Sequence, residues 1–82
     1  MRFDVVLGEL HLYKSRSQAT AAIQDGAVLL TGARAKPSHA VKPGDRITLA
    51  GEHGSRTLEL LELPTRPLSK QAAKAMVREV AG

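Results

Sequence analysis

The chain has 82 residues, 43% of them hydrophobic and 24% charged, which allows one small folded domain. It contains no cysteine, so disulfides, cysteine-ligated zinc and thiol catalysis are excluded together. Twelve Lys and Arg against eight Asp and Glu leave a net charge of +4, and the single Phe, single Tyr and absent Trp argue against a sheet that stacks several bases on aromatic rings.

No apolar run approaches the roughly 18 residues of a membrane span. Met1-Arg2-Phe3-Asp4 lacks the apolar core of a secretory leader. A cytoplasmic protein with no membrane partner is expected.

In chain order, Phe3, Val6, Leu7 and Leu10 recur at i, i+3, i+4 and i+7 and predict an amphipathic helix from Arg2 to about Leu10. His11 ends it, because histidine tolerates the left-handed conformation better than most residues. Ser15-Arg16-Ser17-Gln18 has the spacing of a capping box and starts a second helix. Ala19, Ala22 and Ile23 give that helix a narrow apolar seam, and Gly26 closes it.

The period then changes. Ala27 to Leu30, Thr31-Gly32 and Ala33 to Lys36 predict a short hairpin with Pro37 at its limit. Lys42-Pro43-Gly44-Asp45 is a turn into the strand Arg46–Leu49, and Gly51 to Gly54 is another. Arg56 to Leu63 is the longest strand, with an apolar phase that slips between Leu60 and Leu61 as at a bulge or in a strand buried on both faces. Pro64 and Pro67 stop it. Ser69 caps a last helix whose face is Ala73, Met76, Val77 and Val80, with Lys70, Lys74 and Arg78 along its edge as snorkelling cations.

The charge is uneven. Residues 1–46 carry seven cations against four acids, residues 47–82 five against four. Lys14 and Arg16 flank Ser15 at a helix N-terminus, where positive charge is mildly unfavourable unless an anion joins it. The hairpin should bring Arg34 or Lys36, stiffened by Pro37, back towards the helix pair. Enzyme chemistry finds no support: His11, His39 and His53 lack metal-ligand spacing, and there is neither a phosphate-binding glycine loop nor a nucleophile elbow. No catalytic residue, metal or cofactor is expected.

Arg2-Phe3-Asp4 with Leu7, Ser15-Arg16-Ser17-Gln18-Ala19, Ile23 with Gly26 and Val28, Gly32, Lys36-Pro37-Ser38 and Val41-Lys42-Pro43-Gly44-Asp45 together resemble the S-four (alpha-L) RNA-binding domain over Arg2 to about Leu49. Because there is no room for a catalytic domain and a strand follows near Arg56–Glu59, the chain looks like the single-domain heat-shock protein fifteen (RqcP-like) class. The resemblance implies an α+β fold: two packed N-terminal helices on a small, mostly antiparallel sheet, plus a C-terminal helix. It implies an RNA-binding domain over 1–63, made of a core motif 2–49 and an added strand 56–63, with a linker and helix over 64–82.

Carried over by position, the RNA-facing residues would be Arg2, Lys14, Ser15, Arg16, Gln18, Lys36 and Ser38, to which the hairpin charge adds Arg34. The family's usual lysine after Arg-x-Asp is Val5 here, and its glycine near the end of the first helix is His11. The implied role is non-catalytic: a monomer that binds large-subunit ribosomal RNA and peptidyl-tRNA in ribosome-associated quality control, beside the factor that adds C-terminal tails. A stand-alone RNA-binding accessory in ribosome assembly or RNA modification, and a protein-interaction module using Val5 and the last helix, remain open at this point. Removal of the Arg16 side chain is expected to weaken RNA binding and leave thermal stability nearly unchanged.

Overall fold

The computed structural model describes residues 1–51, 54–65 and 67–80. Its elements are α1 (Phe3–Glu9), α2 (Arg16–Asp25), β1 (Val28–Leu30), β2 (Arg46–Gly51), β3 (Gly54–Leu60), α3 (Lys70–Lys74) and β4 (Val77–Val80). The strands form one sheet in the order β1-β2-β3-β4, antiparallel at every step.

Both long helices end by the same device. After α1, the His11 amide donates to the Gly8 carbonyl and the Leu12 amide to that of Leu7, both at 3.1 Å, with His11 at φ 59°. After α2, the Gly26 amide donates to Ile23 and the Ala27 amide to Ala22, with Gly26 at φ 78°. These paired bonds satisfy carbonyls the helix leaves open, and both require a left-handed residue after the last turn. Histidine meets that need once, and its Nε2 atom also lies against the Leu68 carbonyl, which ties the C-terminal segment to the end of α1.

The predicted apolar faces form the core. Phe3, Val6 and Leu7 of α1 are fully buried against Ala19 and Ile23 of α2 and against Val28, Leu30, Ile47 and Leu60 of the sheet. The small Ala19 lets the two helices approach closely. The other face of the sheet is polar, with a Thr48–Thr57 hydroxyl contact and an Arg78–Glu59 ion pair.

Two elements differ from the sequence expectation. The hairpin after Val28 turns through Thr31 (φ 50°) and Gly32 (φ 78°), the positive pair a tight hairpin needs. Its second arm, however, leaves the sheet after one bridge, Leu30 to Ala33. The true partner of β1 is β2, in the register Val28↔Leu49 and Leu30↔Ile47. Ile47 and Leu49 offer apolar surface to Val28 and Leu30, which alanines at 33 and 35 cannot match.

The C-terminal helix is a single turn. Ser69 caps it, accepting from the Ala72 amide at 3.1 Å, but it stops at Lys74 and the chain becomes β4. Met76, Val77 and Val80 therefore do not continue a helical face. Val77 pairs with Leu60 and Val80 with Thr57, so β-branched residues close the open edge of β3. The strand expected over Arg56–Leu63 instead runs Gly54–Leu60: the phase slip marks its end rather than a bulge within it, with Leu60 buried, Leu61 exposed, and the Leu61 and Glu62 amides both donating to the Met76 carbonyl. The turn expected at Gly51–Gly54 falls partly on Glu52 and His53, outside the described residues.

Gly26 carries two constraints at once. A side chain there would be strained at φ 78°, and its Cβ would stand 3.3 Å from Nε of Arg34, whose guanidinium donates to the Gln24 carbonyl at the end of α2. Gly26→Ala should therefore destabilise by about 1–2 kcal/mol, a fall in thermal midpoint of roughly 5–15 °C by circular dichroism.

Candidate nucleic-acid interface

The site begins with the N-terminus of α1. Arg2, the residue before the helix, provides no side-chain cap. Instead the loop after Ala33 folds back across it: the Phe3 amide donates to the His39 carbonyl at 2.9 Å and the Asp4 amide to that of Pro37 at 3.1 Å. An Arg2–Ala40 bridge and a 2.8 Å bond from the Val41 amide to the Met1 carbonyl complete the join. Loop carbonyls thus satisfy amides the helix leaves free, and Lys36 and Ser38 are held beside Arg2.

The Asp4 carboxylate sits beneath. Its side chain is 3% exposed and accepts from the Val5 amide at 2.8 Å and from Nε and a terminal nitrogen of Arg2, each at 3.1 Å. Arg16 reaches it from α2 through Nε at 3.3 Å, and the Thr20 hydroxyl lies at 3.4 Å. The Arg2 and Arg16 side chains are 50% and 58% exposed. Buried negative charge therefore orders positive charge that faces solvent, with donors left on each arginine.

Burial opposes ionisation of Asp4. The hydrogen bonds from Arg2 and Arg16, with the charge of both, outweigh it and hold the carboxyl below the 3.8 of an unperturbed aspartate.

At the start of α2 the expected cap is present in altered form. The Ser15 hydroxyl accepts from the Gln18 amide at 3.1 Å, while the Gln18 side chain accepts from the Lys14 amide at 3.2 Å, one residue earlier than a capping box requires. Ser15 keeps its hydroxyl proton for an outside acceptor. Gln18 spends its side-chain oxygen holding Lys14 in place.

Three shallow depressions with shared walls join these groups. One lies among Arg2, Thr20, Arg34, Lys36 and Ser38. The next shares Arg2 and Thr20 and adds Asp4 and Arg16. The third shares Asp4 and Arg16 and reaches Lys14 and Ser15. Seven of the eight sequence-nominated positions thus meet on one surface, and Gln18, itself exposed, lies beside it and holds the Lys14 amide. Among the described residues, Lys14 and Lys36 form no ion pair.

Sequence reasoning missed the roles of Asp4 and Thr20. The signal available was a carboxylate beside the apolar face of α1, one residue from Phe3, in a chain with arginines at hand. The missed contact also corrects the expectation for Arg16: its side chain supports a buried carboxylate, so Arg16→Ala should cost about 0.5–1 kcal/mol as well as ligand affinity.

Because the folded Asp4 carboxyl is shifted down, it stabilises the fold above about pH 3.8 and loses that contribution as pH falls through its lowered value. Urea unfolding between about pH 6 and 2 should show a stability loss in the parent that exceeds that of Asp4→Asn by up to one proton's slope. Parallel curves for the two proteins would mean that the Asp4 carboxyl has the same pKa in the folded and unfolded chains, so that Arg2 and Arg16 do not favour its ionised form.

The S4 domain family model matches residues 1–47. An RQC P-site tRNA stabilizing factor from Helicobacter pylori strain J99 is 43% identical over 65 residues, spanning 79% of this chain and 77% of that protein. A factor of the same name from Bacillus subtilis strain 168 is 33% identical over 73 residues, spanning 89% and 85%. Among solved structures, the trimeric structure of Vibrio cholerae heat shock protein 15 aligns with a TM-score of 0.91 and 33% identity, over 99% of this chain and 82% of that one. The helix pair, its basic surface and these relationships agree: the chain belongs to the S4 domain family.

Proposed function

We propose that this protein is a non-catalytic RNA-binding factor of ribosome-associated quality control, acting in the cytoplasm on large ribosomal subunits that carry peptidyl-tRNA. The single observation that carries the reading is the buried Asp4, which holds Arg2 and Arg16 as a pair beside Lys36 and Lys14. Similarity to factors named for stabilising P-site tRNA in quality control supports the biological setting. In this reading Arg2, Lys14, Ser15, Arg16, Arg34, Lys36 and Ser38 face RNA, and the protein acts as a monomer beside the factor that adds C-terminal tails.

The recognition follows from the geometry. Two guanidiniums with fixed Nε atoms present their outer donors to a ribose–phosphate backbone, while Lys36 and Lys14 flank them as mobile point charges. Nothing in the arrangement reads base edges, so shape and charge of a structured RNA decide where it docks. The sharing of Asp4 lowers the effective charge. With about three or four phosphates neutralised, raising salt from about 50 to 200 mM should weaken binding roughly 40- to 150-fold.

Two variants separate preorganised charge from bulk charge. Lys36→Ala should flatten the salt slope by about one unit and leave stability within about 0.5 kcal/mol. Asp4→Asn makes the chain more positive, yet it should bind RNA more weakly, because Arg2 and Arg16 lose their common anchor. Tighter binding by Asp4→Asn in filter assays would show that net charge alone does the work.

Sedimentation of a lysate on sucrose gradients tests the setting. Co-migration with large subunits that retain peptidyl-tRNA is the expected result. Co-migration with assembly intermediates alone, or absence from every ribosomal fraction, would overturn it.

A further inference from the structure

The snorkelling row expected at Lys70, Lys74 and Arg78 is split by the fold. Arg78 lies on β4 and pairs with Glu59 on the polar face of the sheet. Lys70 and Lys74 stay together on α3, at the rim of a cleft of about 400 Å³ between that helix and the end of α1. The cleft has an apolar floor that includes Leu58, Ala73 and Val77. Arg56 and Glu79, also at its rim, neutralise each other at 2.7 Å. Among the described residues Lys70 and Lys74 form no ion pair, so the rim carries uncompensated positive charge.

The cleft is continuous with the first surface. It shares His11 and Lys70 with a neighbouring depression that also contains Tyr13 and Lys14, and Lys14 lines the depression that holds Ser15 and Arg16. The path runs from Arg16 past Lys14 and Tyr13 to Lys70 and Lys74 without leaving a concave surface, with Glu9 the acid at its midpoint. Tyr13, the only tyrosine of the chain, lies midway along this path, partly buried against the core.

We propose that this cleft is a second RNA contact, in which the strand bound at Arg2 and Arg16 continues past Tyr13 onto Lys70 and Lys74. The proposal rests on the RNA-binding reading above and extends it to a segment beyond the family match at residues 1–47. An acidic protein segment would also satisfy two lysines. Shared walls with the first surface favour the ligand already seated there, and a polyanion relieves the repulsion of like charges at i and i+4.

The test is filter binding to protein-free large-subunit ribosomal RNA across a salt series, with co-sedimentation on intact large subunits, for the parent, for the double variant Lys70→Gln/Lys74→Gln and for Lys36→Gln, with melting curves to confirm folding. The double variant should bind on the order of tenfold more weakly, with a salt slope shallower by about 1.4–1.8, the value for two lost phosphate contacts. A double variant that matches the parent while Lys36→Gln loses affinity would overturn the second contact and leave the first standing. Parental binding by both variants would overturn the second contact and the role given to Lys36 in the first. Normal binding to free RNA with loss of binding to intact subunits would assign the cleft to a protein, and that too overturns the proposal.

Discussion

One carboxylate, that of Asp4, organises the functional half of this protein. It is buried, so it must be paired or its charge would be costly. Its partners come from both sides of the helix junction: Arg2 from the residue before α1 and Arg16 from the first turn of α2. Satisfying the buried acid therefore fixes the relative position of two arginines that sequence alone separates by a helix and a loop. The same contact explains why two cations are tolerated close together. Each loses part of its charge to a carboxylate almost wholly buried beneath it.

The backbone reinforces that arrangement. The carbonyls of Pro37 and His39 meet the first amides of α1, so the loop and the helix terminus stabilise each other. Lys36 and Ser38 inherit their positions from this junction, and Ser15 and Gln18 hold Lys14 at the start of α2. The exposed side chains thus stay mobile at their tips while the atoms that carry them are fixed. That division suits a ligand recognised by charge and contour: conformational entropy is lost only in the last few bonds.

Local chemistry made much of the fold legible in the sequence. The apolar face of α1, the serine cap of α2, the left-handed His11 and Gly26 and the Thr31–Gly32 turn all depend on neighbours within a few residues. What escaped depends on distant partners. Residues 33–36 satisfy hairpin patterning, yet β1 pairs with β2, because Ile47 and Leu49 bury more against Val28 and Leu30. Ala73, Met76, Val77 and Val80 satisfy helical spacing, yet the open edge of β3 draws the last four described residues into a strand. The candidate site divides the same way. Lys14 and Arg16 stand out in the sequence as charges at a helix N-terminus, and Arg34 and Lys36 as cations of a short hairpin, while Asp4 looks like an ordinary acid in a first turn until Arg16 is placed opposite it.

The C-terminal elements also explain how so small a chain supports a surface of like charges. The family match ends at residue 47, one residue after β2 begins. A ladder of β1 and β2 alone is too slight to stand in water. β3 adds Leu58 and Leu60 to the buried set, α3 adds Ala73, and β4 closes the edge, while Pro64 is enclosed in the link between them. The added burial offsets the repulsion concentrated around α1 and α2. By tying Leu68 to His11 at the end of α1, it also brings Lys70 within one continuous surface of Lys14, so the segment that completes the core also lengthens the basic track.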